Sequence, residues 1–288
     1  MQTVLTADNL GLVTRIWPAE ARAPGAARGV VVVVHGLGEH ADRQEPVALR
    51  LSGQGFDVVG YDQRGHGFSP GPRGGIPQDD SLLDDLARVI DATRQAFAGP
   101  LVLLGHSLGG LIAARFVVEA KAEQPAAWSR PVDALVMSSP ALDPGASALQ
   151  RLLLATVARL LPDLAVGNGL NPNWISRDPR VVDAYRADAL VHDRITGRLG
   201  RFVASQGPAV IAAAADWHLP TLLMWACADR CVAPRGAQAF AAVAPKAVVT
   251  SRPWGGLYHE IFNEPERELV FETLTRWLDG WLPERPLQ

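Results

Sequence analysis

Leu101-Val102-Leu103-Leu104-Gly105-His106-Ser107-Leu108-Gly109-Gly110 is the stretch on which the reading of this chain turns. Four apolar residues run into a serine flanked by glycines, and a helical pattern starts at Leu111. An apolar run without polar alternation, bounded by turn residues, suits a strand buried on both faces. Gly105 and Gly109 have no side chains, so a strand and a helix can approach closely around a sharp turn. A serine at the apex is lifted from the sheet edge with its hydroxyl exposed. The competing reading is a glycine-rich turn whose serine merely caps a helix.

Similar runs occur on both sides of this stretch. Gly29-Val30-Val31-Val32-Val33-Val34 and Phe56 to Tyr61 read as buried strands before it, Asp133 to Ser138 as one after it. Helical spacing fills Arg43 to Gln54, Asp79 to Ala98 and the segment from Leu111 to about Glu123. Thr221 to Ala228 and Ala247 to Arg252 continue the strands, and Glu264 to Trp281 closes the chain as a helix. Alternation of this kind predicts an α/β fold, a mostly parallel doubly wound sheet covered by helices. Thr3 to Pro18 reads as one or two lead-in strands.

The alternation stops between Pro144 and about Trp217, where no convincing buried strand appears. We expect a helical cap inserted there between late core strands. The core is then 1–143 with 218–288, and the cap 144–217. Ala148 to Val166 opens the cap, with Leu149, Leu152, Leu153, Val157, Leu160, Leu161 and Leu164 on one helical face. That face suits packing on the core. It also suits lining an acyl tunnel, with Leu152 and Leu153 as candidate substrate contacts, or touching a lipid surface.

Composition bounds the rest. The chain has 288 residues, 48% of them hydrophobic and 20% charged, with a net charge of −3. A nucleic-acid partner would call for a basic face, and none is evident. Two cysteines, Cys227 and Cys231, make no disulfide framework, and their spacing is not that of a zinc site. No secretory signal and no transmembrane run of about 18 apolar residues is seen, so the expected location is cytoplasmic. No metal-ligand cluster or phosphate-binding loop stands out, and no cofactor is expected.

A serine hydroxyl needs a base, and the base an orienting carboxylate. Gly105-His106-Ser107-Leu108-Gly109 matches G-x-S-x-G, the nucleophile elbow of α/β-hydrolases, whose chain order is nucleophile, acid, histidine. Of seven histidines, only His259 follows the last strand, in a glycine-containing loop. Asp229 follows the buried run Thr221 to Ala228, which places it at the same sheet edge as Ser107. Asp143, after the fourth strand, is its nearest competitor. The tetrahedral intermediate of acyl transfer needs N–H donors. Leu108 supplies one, and Leu37, in His35-Gly36-Leu37-Gly38 after the first buried strand, the other.

Several motifs carry a more specific resemblance. They are His35-Gly-Leu-Gly-Glu39-His40, Tyr61-Asp-Gln-Arg64-Gly-His66-Gly-Phe-Ser69-Pro-Gly71, Gly105-His-Ser107-Leu-Gly-Gly, Ser138-Ser-Pro-Ala-Leu, Ile175-Ser-Arg-Asp-Pro-Arg and Tyr258-His259-Glu. Together they resemble the monoacylglycerol lipase family of α/β-hydrolases, also described as lysophospholipase-like or serine aminopeptidase S33 hydrolases. The resemblance runs from about Val13 to Leu282. It implies Ser107, Asp229 and His259 as the triad, and Leu37 and Leu108 as oxyanion donors. It further implies that Glu39 and Arg43 hold a glycerol headgroup, where a loop salt bridge is the alternative. Lipases of the family often have a second histidine three residues after the catalytic one. Phe262 holds that place here and becomes a candidate substrate contact. The expected activity is hydrolysis of a monoacylglycerol-type ester. A general carboxylesterase or lysophospholipase is the enzymatic alternative, and a ligand-binding protein on the same fold the remote one.

Overall fold

The computed structural model describes residues 2–20, 27–145, 156 and 158–282. Its centre is a run of parallel strands: β3 (Val30–Val34), β4 (Asp57–Tyr61), β5 (Leu101–His106), β6 (Ala134–Ser138), β9 (Thr221–Ala226) and β10 (Val249–Trp254). Two antiparallel strands, β1 (Gln2–Leu5) and β2 (Gly11–Trp17), extend the sheet past β4. The eight strands lie in the order β1-β2-β4-β3-β5-β6-β9-β10. The lead-in segment, expected to hold one or two strands, forms two, and the last strand runs two residues beyond the expected Arg252.

Why the valine and leucine runs lack alternation is visible in the packing. Val30, Val32, Val34, Leu101 and Leu103 enter one core. Val31, Val33, Val102 and Leu104 enter the other, on the opposite face. The first core lies under α2 (Ser81–Ala96) and α3 (Leu108–Glu119), the second under α1 (Glu45–Gly53) and α7 (Arg267–Trp281). Each fully buried side chain of this size contributes about 1.5–3 kcal/mol. Helix α6 (Pro234–Val243) follows β9 and adds Phe240 to the first core.

Parallel pairing brings the strand ends to one edge. Val34 pairs with Gly105, His106 with Ser138, Ser138 with Met224, and Trp254 with Ala226. The loops leaving β3, β5, β9 and β10 therefore open side by side, where ligands bind in sheets of this kind.

Between β6 and β9 the described chain forms a separate small layer. Strands β7 (Ala165–Gly167) and β8 (Arg194–Thr196) pair antiparallel. Helix α4 (Pro179–Ala187) starts at Asp178, whose carboxylate accepts from the Arg180 N–H at 2.9 Å. Helix α5 (Gly197–Ala212) lies against α3 and the Pro140–Leu142 turn, so closely that a Cβ on Gly207 would meet the Leu142 carbonyl. The helix expected over Ala148–Val166 does not reach Val166. Residues 158–160 are helical, and Ala165–Gly167 is a strand. Leu160, Leu161 and Leu164 are exposed rather than packed on the core. Leu149, Leu152, Leu153 and Val157 lie outside the described residues. Among those described, no helix is long and apolar enough to cross a membrane.

Candidate active site

Ser107 sits between β5 and α3 with φ 54° and ψ −117°. A non-glycine residue at positive φ is strained, and it persists only where its surroundings enforce it. Here the Ser107 N–H donates to the Ser138 carbonyl at 3.0 Å. The glycines allow the backbones on either side to touch. A Cβ on Gly105 would run into the Gly109 carbonyl, and one on Gly109 into the Val34 carbonyl. The serine therefore turns the corner of an elbow; its side chain caps nothing.

Asp229 lies just past β9. Its Oδ1 accepts from the backbone N–H groups of Cys231 at 2.8 Å and Val232 at 3.1 Å. That leaves Oδ2, which stands 2.7 Å from His259 Nδ1. His259 is buried, in the loop after β10. Burial alone would pull its pKa down. The Asp229 carboxylate, by charge and by hydrogen bond, and then Glu260 and Glu39 outweigh this and raise it. Asp143 is engaged elsewhere, its carboxylate paired with Arg235 at 2.6 Å.

Ser107, His259 and Leu37 line one cavity of about 30 Å³, room for one or two waters. Leu37 belongs to the loop after β3. Leu108 is the first residue of α3, and the opening N–H groups of a helix have no partner inside it. Cys231 also lines the cavity, and burial pushes its thiol pKa well up. Donor atoms of Asp229, Cys231 and His259 lie within 4.8 Å of one another. Within this set Asp229 and His259 are already joined by a hydrogen bond of 2.7 Å.

The loop holding Leu37 is stiffened from behind. His35 Nε2 accepts from the Gln63 N–H at 3.0 Å, so its proton is on Nδ1 and points to the Gly36 carbonyl at 2.7 Å. The His66 ring lies 5.3 Å from His35 and 4.6 Å from His192. Burial holds His35 and His192 near pKa 4 and His66 well below its ordinary value. From above, the His192 N–H donates to the Gly38 carbonyl at 2.9 Å. Arg64 and Asp62 serve the same framework. Arg64 is bound to Asp85 at 2.6 Å, and Asp62 accepts from the N–H groups of Ala41 and Phe68 at 2.9 Å each.

The remaining candidates divide. Glu39 lines the cavity, with its Oε1 accepting from the Gly36 N–H at 2.5 Å and both oxygens accepting from Gln44 at 3.1 Å. Arg43 does not line it. Its guanidinium is committed to Glu39 at 3.3 Å and to both oxygens of Glu260 at 2.7 and 2.8 Å, and it lies over the Tyr185 ring. Phe262 is a correction: it is buried in the second core and stacked on Phe271 at 5.3 Å, out of reach of a substrate. Its ring follows the inward side of a 3-10 turn, Ile261–Asn263, that packs against α7.

Glu260 and Tyr185 were not singled out in the sequence, yet both line the cavity. Glu260 follows His259 directly, and a buried carboxylate beside a base was a signal within reach. Its N–H also donates to the Ile175 carbonyl at 2.8 Å, tying the segment between β6 and β9 to the histidine loop. Tyr185, on α4, carried no signal of its own.

These features can be set beside known proteins. The family model Hydrolase_4, described as serine aminopeptidase S33, matches residues 25–266. A monoacylglycerol lipase of Mycolicibacterium smegmatis is 34% identical over 255 residues, 87% of this chain and 88% of that protein. An uncharacterized abhydrolase domain-containing protein of Dictyostelium discoideum is 31% identical over 96% of this chain, which spans 29% of that protein's length. The crystal structure of a Paleococcus ferrophilus monoacylglycerol lipase superposes with a TM-score of 0.80 at 33% identity, covering 94% of this chain and 99% of the other. The chain belongs to the serine aminopeptidase S33 family, among the α/β-hydrolases that resemble monoacylglycerol lipase.

Proposed function

We propose that this carboxylic ester hydrolase cleaves monoacylglycerol-type esters through an acyl-enzyme on Ser107, with His259 as base and Asp229 as its orienter. The observation that carries the reading is the 2.7 Å contact between His259 Nδ1 and an Asp229 carboxylate that two backbone N–H groups hold in place, above a cavity shared with Ser107. Asp229 fixes the proton on Nδ1 and leaves Nε2 to take the serine proton. Ser107 attacks the ester carbonyl, and the N–H groups of Leu37 and Leu108 hold the oxyanion. His259 then protonates the leaving alcohol. Water, deprotonated by the same histidine, releases the fatty acid.

Residues 144–217 act in this reading as the cap over the site. Tyr185 and Leu170 of that segment already line the cavity. The exposed Leu160, Leu161 and Leu164 support contact of the cap with lipid. The relatives named monoacylglycerol lipase favour a glycerol ester over other alcohols.

The test is direct. Ser107→Ala should abolish turnover of p-nitrophenyl laurate and labelling by a fluorophosphonate, a loss of at least about 10⁴-fold in kcat. Undiminished turnover overturns the reading. Comparing monolaurin with methyl laurate then asks whether the glycerol part is recognised. Equal kcat/KM on the two returns the protein to the general carboxylesterases.

A further inference from the structure

The cavity has an uneven charge. Two carboxylates, Glu39 and Glu260, line it, and no lysine or arginine does among the described residues. Both carboxylates are buried, at 3% and 6% exposure. Arg43, the cation that pairs with both, stands to the side. Its Nη2 is taken by Glu260 and its Nε by Glu39, while its face is covered by Tyr185 at 4.6 Å. Two negative charges against one positive leave the group at −1. Nearby, the Asp229 carboxylate adds another negative charge whenever His259 is neutral. Polar hydrogens also crowd the two carboxylates: Gly36 N–H and Gln44 on Glu39, Asn263 on Glu260 at 2.8 Å.

Resting on the ester-hydrolase reading above, we propose that Glu260, together with Glu39, makes this site select esters of uncharged alcohols and reject those whose alcohol part is anionic. A phosphate or carboxylate on the leaving group would enter a poorly screened site facing two carboxylates and no accessible cation. Like charges a few ångströms apart in such a site disfavour binding by about a hundredfold. Hydroxyl groups suffer no such cost, and carboxylate oxygens accept hydrogen bonds from them. Burial pushes the Glu260 pKa up, but the Arg43 charge, His106 and the Asn263 hydrogen bond outweigh it and bring it below its ordinary value. Through this gate, an ester of glycerol is a substrate and the same ester carrying a phosphate on glycerol is not. The serine and the oxyanion loop impose no such choice, because they meet the acyl carbonyl alone.

The experiment uses two esters of nearly equal shape, the dodecanoyl esters of glycolamide and of glycolate. They differ by an amide against a carboxylate. The wild type should favour the amide by about a hundredfold in kcat/KM. Glu260→Gln removes one of the two negative charges and should cut that preference at least about tenfold. Its kcat on the amide should also fall, since the His259 imidazolium loses a nearby anion, and the acid limb of its pH profile should move to lower pH. Asn171→Lys places a cation at an exposed side chain on the cavity wall. It should cut the preference in the same direction even if Glu260→Gln fails to fold. Equal rates of the wild type on both esters, or an unchanged ratio in every folded variant, overturn the inference while leaving the hydrolase intact. If the wild type hydrolyses neither ester nor p-nitrophenyl laurate, the ester-hydrolase reading falls, and this inference with it.

Discussion

The floor and the roof of the cavity are built by different means. The floor is backbone packed on backbone: Gly109 against Val34, Gly105 against Gly109 and Gly110. The strand residues beneath are buried along their whole length. Among the described residues, the roof is a three-residue strand pair, the short helix α4 and loops. Its Ala165–Gly167 strand is exposed throughout, and Leu160 is 71% exposed. A few hydrogen bonds join roof to floor, among them His192 to Gly38 and Glu260 to Ile175. The difference separates two tasks. Geometry that must not move is secured by contact no side chain can relax, whereas the layer above is held to it by a few hydrogen bonds.

That contrast can be broken at its strong end first. Gly109→Ala would place a methyl group against the Val34 and His35 carbonyls, with no side chain to yield. A loss of about 3 kcal/mol in unfolding free energy, with activity falling alongside, is the expected result of a denaturant titration. An unaltered midpoint would mean that the elbow has slack.

The second probe acts on the join. His35 is fully buried and its pKa is depressed to about 4, chiefly by burial, which the charge of Asp62 opposes. A depressed folded pKa means the unfolded chain binds more protons between about 4 and the ordinary value of 6.5. Stability is therefore complete above about pH 6.5 and is lost as the pH falls towards 4, by roughly 2 kcal/mol at pH 5 from this residue. His192, depressed likewise, adds to the loss. His259, whose pKa is raised, has the opposite sign: its contribution is present below its ordinary value and fades as the pH rises through the raised one. Unfolding midpoints measured from pH 8 to pH 4.5 check the balance, and a flat profile would contradict it.

The smallest effect belongs to the roof. Leu161→Ser removes an apolar side chain that is already 54% exposed. Its cost should be within about 0.5 kcal/mol, read from the same titration. A larger loss would show that the roof is packed more like the floor.

The same division governs what the sequence reveals. Strands β3 and β5 are legible because their runs must fill two cores at once, which leaves no polar position. The elbow is legible because only glycine tolerates the approach around Ser107. Asp229 and His259 are legible from order, each following a buried run at the same sheet edge. The Glu39–Arg43 pair is within reach of the sequence, but its meeting with Tyr185 and Glu260 is not, because these come from distant elements and join it only after folding. Phe262 misled for a related reason. Distance along the chain from His259 says nothing of direction, and the turn after Glu260 points that ring into the second core. Between β6 and β9, strands β7 and β8 have three residues each and little burial, so no periodicity marks them.

One bond joins these two layers at the base itself. The Glu260 N–H that holds the Ile175 carbonyl belongs to the residue next to His259. Being backbone to backbone, this tether survives any side-chain change at Ile175 and every change but proline at Glu260.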